Sequence, residues 1–132
     1  MKYILQIIFQ VYANRICKRL GIPKIKIYTD AKPYKENPTV GAYFNFALMF
    51  IKIYTKNCYY KDWYSKKMCL YHELAHWLHF NKVGSVEYSI LSDELHPMTK
   101  QTPYTIYDKV KYENYYHGEE FSKYLEQVKK IV

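Results

Sequence analysis

The stretch CLYHELAHWLHF, residues 69–80, holds three of the chain's five histidines. Tyr71, Leu74, Ala75 and Leu78 recur in it at helical spacing, which predicts a helix from about Trp63 to Lys82, stopped by Gly84. On such a helix His72 and His76 stand one turn apart on one face, so both imidazoles can reach a single ion. Glu73 projects beside them, where a carboxylate can take a proton from an activated water and pass it to a leaving amine. Zinc suits this set best, because it accepts imidazole ligands, has no redox chemistry and keeps a position open for water. The plainer alternative is a helix that merely happens to be rich in histidine. Apolar Leu74 and Ala75 between the two histidines, and a β-rich segment before the helix, favour the metal site.

A catalytic zinc usually takes three protein ligands. His79 lies near the same face a turn further on and reads as a supporting or structural residue. The metzincin pattern would need glycine at 79 and histidine at 82, and this chain has His79 and Lys82. His117, at the head of HGEEFSKYL and followed by Gly118, can swing its ring toward a neighbouring helix. Phe121, one turn on, would anchor that helix in the core. A glutamate is the competing choice, as in gluzincins: Glu94 in LSDELHPM, Glu87, or Glu119 and Glu120 if the last helix were rotated. His96 precedes a proline and reads as a solvent-exposed loop residue.

A HELAH helix joined to a later H-G-x-x-F resembles the SprT-like and WLM group of small zinc metallopeptidases. The order of helix, short sheet and HExxH helix is also similar. That resemblance implies Zn2+ as cofactor, His72, His76 and His117 as its ligands and Glu73 as general base. It further implies a minimal zincin-like fold and a zinc-dependent endopeptidase acting on proteins bound or crosslinked to DNA. The interval from His76 to His117 exceeds the family's usual one, so the loop over 85–116 is expected to fold out as a lid or flap.

The remaining chain organises around this helix. MKYILQIIFQVYANRICKRLG carries Ile4, Ile7, Ile8, Val11 and Cys17 at helical spacing and Gln6, Gln10, Asn14 and Lys18 on another face, which predicts an amphipathic core helix ended by Gly21 and Pro23. No small-residue cleavage site follows it, so it does not read as a targeting segment. KIKIYTD from Lys24 alternates lysine with isoleucine, the pattern of a strand with one wet face. VGAYFNFALMFIKIYT predicts a hairpin turning near Asn45 to Leu48, and its Gly41 to Phe46 part offers an edge for an extended peptide. The C-terminal HGEEFSKYLEQVKKIV has acids first and lysines last, favourable to a helix dipole. The expectation is an α+β fold in one domain, 1–132: helix, short three-stranded mainly antiparallel sheet, HExxH helix, long loop, helix.

Composition narrows the function classes. At 49% hydrophobic and 24% charged the 132-residue chain has the makeup of a globular protein. A net charge of +8 and seventeen tyrosines suit nucleic acid through phosphate contacts and stacking. The lysines are dispersed, however, and an A/T-rich coding sequence produces the same excess. Cys17, Cys58 and Cys69 form no C-x-x-C pair, which argues against a disulfide framework or zinc ribbon and predicts a cytoplasmic, intracellular setting. No segment has transmembrane length, and a monomer without membrane contact is expected. The expected partner is a protein or peptide substrate, with DNA as a further one. Two other readings remain. One is a non-catalytic nucleic-acid-binding module braced by zinc, for which Glu73 has no use. The other is a small effector or toxin cleaving one host protein. Tyr112, Tyr115 and Tyr116, just before His117, are candidate oxyanion donors.

Overall fold

The structure, a computed structural model, describes residues 4–35, 38, 40–57, 62–84 and 119–131. These form three helices and a three-stranded sheet in the order α1 (Ile4–Leu20), β1 (Lys26–Asp30), β2 (Ala42–Asn45), β3 (Phe50–Tyr54), α2 (Trp63–Val83) and α3 (Glu119–Ile131). The α+β expectation holds. His117, Glu87, Glu94, His96, Cys58, Tyr112, Tyr115 and Tyr116, with the loop over 85–116, lie outside the described residues.

The sheet is mixed rather than mainly antiparallel. Its order is β1-β3-β2, with β1 and β3 parallel and β2 and β3 antiparallel. The β2–β3 hairpin turns where its sequence indicates. Asn45 Oδ1 accepts the amides of Ala47 and Leu48 at 3.0 and 2.8 Å, and Met49 closes the turn at φ 58°. The side chain thus supplies the turn that an Asn-Gly pair supplies elsewhere. β3 leaves the hairpin running alongside β1, and the crossover that a parallel pair requires contains β2 itself.

The rotation of α1 differs from expectation. Cys17 of the expected face is buried, but Ile4, Ile7 and Val11 face outward at 45%, 61% and 51% exposure, and Phe9, Ala13 and Ile16 fill the core instead. The two glutamines explain the difference. Gln10 accepts the Ile27 amide at 2.8 Å and donates to the Ile25 carbonyl at 2.9 Å, while Gln6 accepts the Thr29 amide at 3.0 Å. Both therefore face β1 and satisfy its outer edge, which would otherwise leave partly buried backbone groups unpaired. Gln10→Ala is expected to destabilise the fold by about 1–3 kcal/mol by orphaning the Ile27 amide, read as a lower urea midpoint. A change no larger than that at an exposed control position would show that water serves this edge equally well.

The α1 end forms a Schellman motif, with the Ile22 amide donating to the Cys17 carbonyl and the Gly21 amide to that of Lys18. Gly21 takes φ 72° there, a conformation strained for a residue with Cβ. Burial pushes the Cys17 thiol up to about 11, so it packs as a small apolar group. At the start of α2 the Asp62 carboxylate accepts the Ser65 amide at 2.8 Å, an N-cap that holds its pKa below the ordinary value. Ile27, Ile51 and Ile53 pack from the sheet against Phe9, Leu70, Leu74 and Leu78, and Phe121 and Val128 of α3 join the same cluster. The Trp77 indole ties α2 to the α1–β1 turn by donating to the Pro23 carbonyl at 2.8 Å.

Candidate metal centre

Helix α2 lies between the sheet and α3, and from Leu70 to Phe80 every residue except His72 and His79 is buried. A helix enclosed to this degree is apolar nearly all round, and the polar residues it keeps at its centre need a reason. Glu73 is 7% exposed and His76 9%, with His72 half-buried beside them.

The imidazoles of His72 and His76 have centroids 5.0 Å apart with their planes at 69°. A tetrahedral zinc with Zn–N bonds of about 2.1 Å holds two imidazole centroids about 5 Å apart. The centroid separation is thus compatible with two ligands of one such ion. Glu73, next to His72 in sequence and one turn before His76, belongs to the same buried segment.

Helix α3 covers the pair with aromatic rings. Phe121 stands 4.9 Å from the His72 ring and 4.6 Å from that of His76, completing a triangle with them. Its burial matches its expected part as an anchor. One turn further along α2, His79 stacks on Tyr124 at 5.2 Å and 26°. It packs on α3, as a supporting residue would. The Tyr124 contact escaped the sequence reading. Its signal lay in the helical recurrence of Phe121, Tyr124, Leu125 and Val128, which marks the α3 face turned inward.

The opposite flank is built by β2. Phe44 meets Trp77 and Phe80 edge-on, each at 5.9 Å, which seats the edge strand against the middle of α2. Tyr71, adjacent to His72, has a buried hydroxyl with no hydrogen-bond partner among the described residues. Burial first, and Tyr12 second, push its phenol up, so it stays neutral.

Among the described residues no group of three His, Cys, Asp or Glu side chains stands ready to hold a metal. The structure brings the His72 and His76 rings together and buries Glu73 in the same part of α2, while the expected third ligands His117, Glu94 and Glu87 fall outside the described residues. No described helix is long and apolar enough to cross a membrane. No protein-family model, characterised protein or solved structure matches the chain.

Proposed function

We propose that the chain is a zinc-dependent endopeptidase in which His72, His76 and His117 hold the metal and Glu73 is the general base. The observation that carries the reading is a pair of imidazoles with centroids 5.0 Å apart on an enclosed helix in which Glu73 is also buried. Support for His117 comes from Phe121, whose contacts with both imidazoles bring the first turn of α3 to the site. His117 precedes Phe121 by about one helical turn in sequence.

When bound, zinc supplies an electrophile for the scissile carbonyl and lowers the pKa of water toward neutrality. The Glu73 carboxylate then takes the proton of the attacking water and returns it to the departing amine, so no free amide anion forms. The Phe121 ring, packed on both imidazoles, would limit water beside them and strengthen charge interactions there. An extended substrate has one strand edge to pair with. The glutamines of α1 close the edge of β1, whereas no described strand lies beyond β2. Pairing through main-chain groups gives affinity with little side-chain selectivity.

Zinc per chain tests the assignment, measured on wild type and His117→Ala purified identically without added metal. About one zinc in the wild type, as expected of one catalytic site, and its loss from a folded His117→Ala chain, support the three-histidine set. Retention in His117→Ala with loss in Glu94→Ala or Glu87→Ala moves the third ligand to that glutamate. No zinc in the wild type after reconstitution overturns the proposal.

A further inference from the structure

The sheet has one face against the helices and one turned away from them. Ile27, Ile51 and Ile53 enter the core with Phe9, Leu70 and Leu74. Strand alternation sends their neighbours to the opposite side. The pairing register arranges these in rows across all three strands. Tyr28, Lys52 and Tyr43 stand abreast, and Lys26, Phe50 and Asn45 form the adjacent row, about 6.8 Å away along the strands.

The rings of the two rows touch edge to face. Tyr28 meets Phe50 at 5.4 Å and 85°, and Tyr43 meets Phe50 at 5.8 Å and 69°. The Lys26 ammonium lies 5.6 Å from the Tyr28 ring centre, and that of Lys52 lies 5.5 Å from the ring of Tyr54. The face divides in two by exposure. At one end Tyr54 is buried under Tyr34, 5.6 Å away, and acts as sheet packing. At the other, Tyr28 is 43% exposed beside exposed Lys26, with Phe50, Lys52 and Tyr43 half-buried behind them. Cross-strand packing alone accounts for the first half. It does not call for the exposed Tyr28 ring beside the Lys26 ammonium in the second.

We propose that this face binds single-stranded nucleic acid, with a base stacking on the exposed Tyr28 ring, which Phe50 and Tyr43 support, and a phosphate meeting Lys26. Charge selects the occupant. The chain carries +8, and the one acid in the three strands, Asp30, is already paired with Lys52 at 3.4 Å. A polyanion with flat, unstacked faces complements such a surface, because every base offers a ring to stack while the lysines track the backbone. A duplex presents the same charge but keeps its bases stacked internally, so the face discriminates strand state and not sequence. The proposal is independent of the zinc site, which lies on α2, behind the sheet's other face.

Fluorescence anisotropy of the full chain with labelled oligothymidylate at low salt tests this. Tyr28→Ala is expected to weaken binding about tenfold, in line with the loss of one stacked base, while Tyr28→Phe keeps the ring and the affinity. Lys26→Gln should flatten the dependence of log K on log salt by about 0.7, the share of one phosphate contact to a single strand. Tyr64→Ala, an exposed tyrosine away from this face, and Glu73→Gln, which alters only the proposed peptidase, should both bind as wild type. No binding at low salt, duplex bound as tightly as single strand, or equal effects of Tyr28→Ala and Tyr64→Ala each overturn the proposal. So does displacement of the oligonucleotide by an acidic peptide of equal charge, which would assign the face to a protein partner.

Discussion

Glu73→Gln is expected to lower kcat/KM for hydrolysis of an unstructured peptide by about 10²–10⁴-fold, the usual contribution of a positioned general base, with zinc content and melting temperature unchanged. Glutamine has nearly the shape of glutamate and keeps hydrogen-bonding capacity, so it fits the same enclosed position on α2, where Glu73 is 7% exposed. It has no carboxylate to accept a proton. Hydrolysis is therefore the one property the substitution should touch. The outcome separates the enzyme from a chain in which zinc only braces the fold, since a structural site makes no use of a base beside its ligands. Full activity in Glu73→Gln would place the base elsewhere. Loss of zinc along with activity would make Glu73 a ligand or a support for one, and the roles within residues 72–76 would have to be redrawn. Measuring metal content and kcat/KM on the same preparation distinguishes these results.

The parts of this molecule governed by local rules were legible in its sequence. The 69–80 stretch carried its own period, Gly84 its stop, and a spacing of four put two imidazoles on one face, where their centroids stand 5.0 Å apart. Gly21 likewise marked the end of α1. What escaped depended on partners distant in the chain. The face of α1 was misjudged because hydropathy periodicity weighs side chains by their apolar area and ignores what a neighbouring strand needs. The unpaired Ile27 and Thr29 amides drew Gln10 and Gln6 inward, and the isoleucine stripe was left outside. Parallel pairing of β1 with β3 was hidden for a related reason, because strand patterns carry no sign for direction. The third ligand belongs to the same category. Its candidates His117, Glu94 and Glu87 lie outside the described residues, and Phe121 of α3 is a described side chain that touches both imidazoles.

Phe121→Ala is therefore expected to act at two levels at once. Loss of a buried phenyl ring costs about 3–5 kcal/mol, against a total of about 5–15 kcal/mol for an ordinary domain, so the urea midpoint should fall steeply. The ring also holds α3 against His72 and His76, so its removal should loosen the approach of any ligand carried at the head of that helix. A ligand that binds only the folded chain stabilises it by an amount set by its affinity. Zinc should thus raise the wild-type midpoint, and the size of that rise reports how well the site is assembled. In Phe121→Ala the zinc-induced rise should shrink, whereas Val128→Ala, which removes apolar volume from the far part of the same helix, should lower the midpoint but preserve more of the rise. Equal rises in wild type and Phe121→Ala would reduce Phe121 to core packing and detach α3 from the metal, taking with it the support for His117. A selectively reduced rise would show that the ring couples the docking of α3 to the binding of zinc, which two histidines on α2 cannot do by themselves.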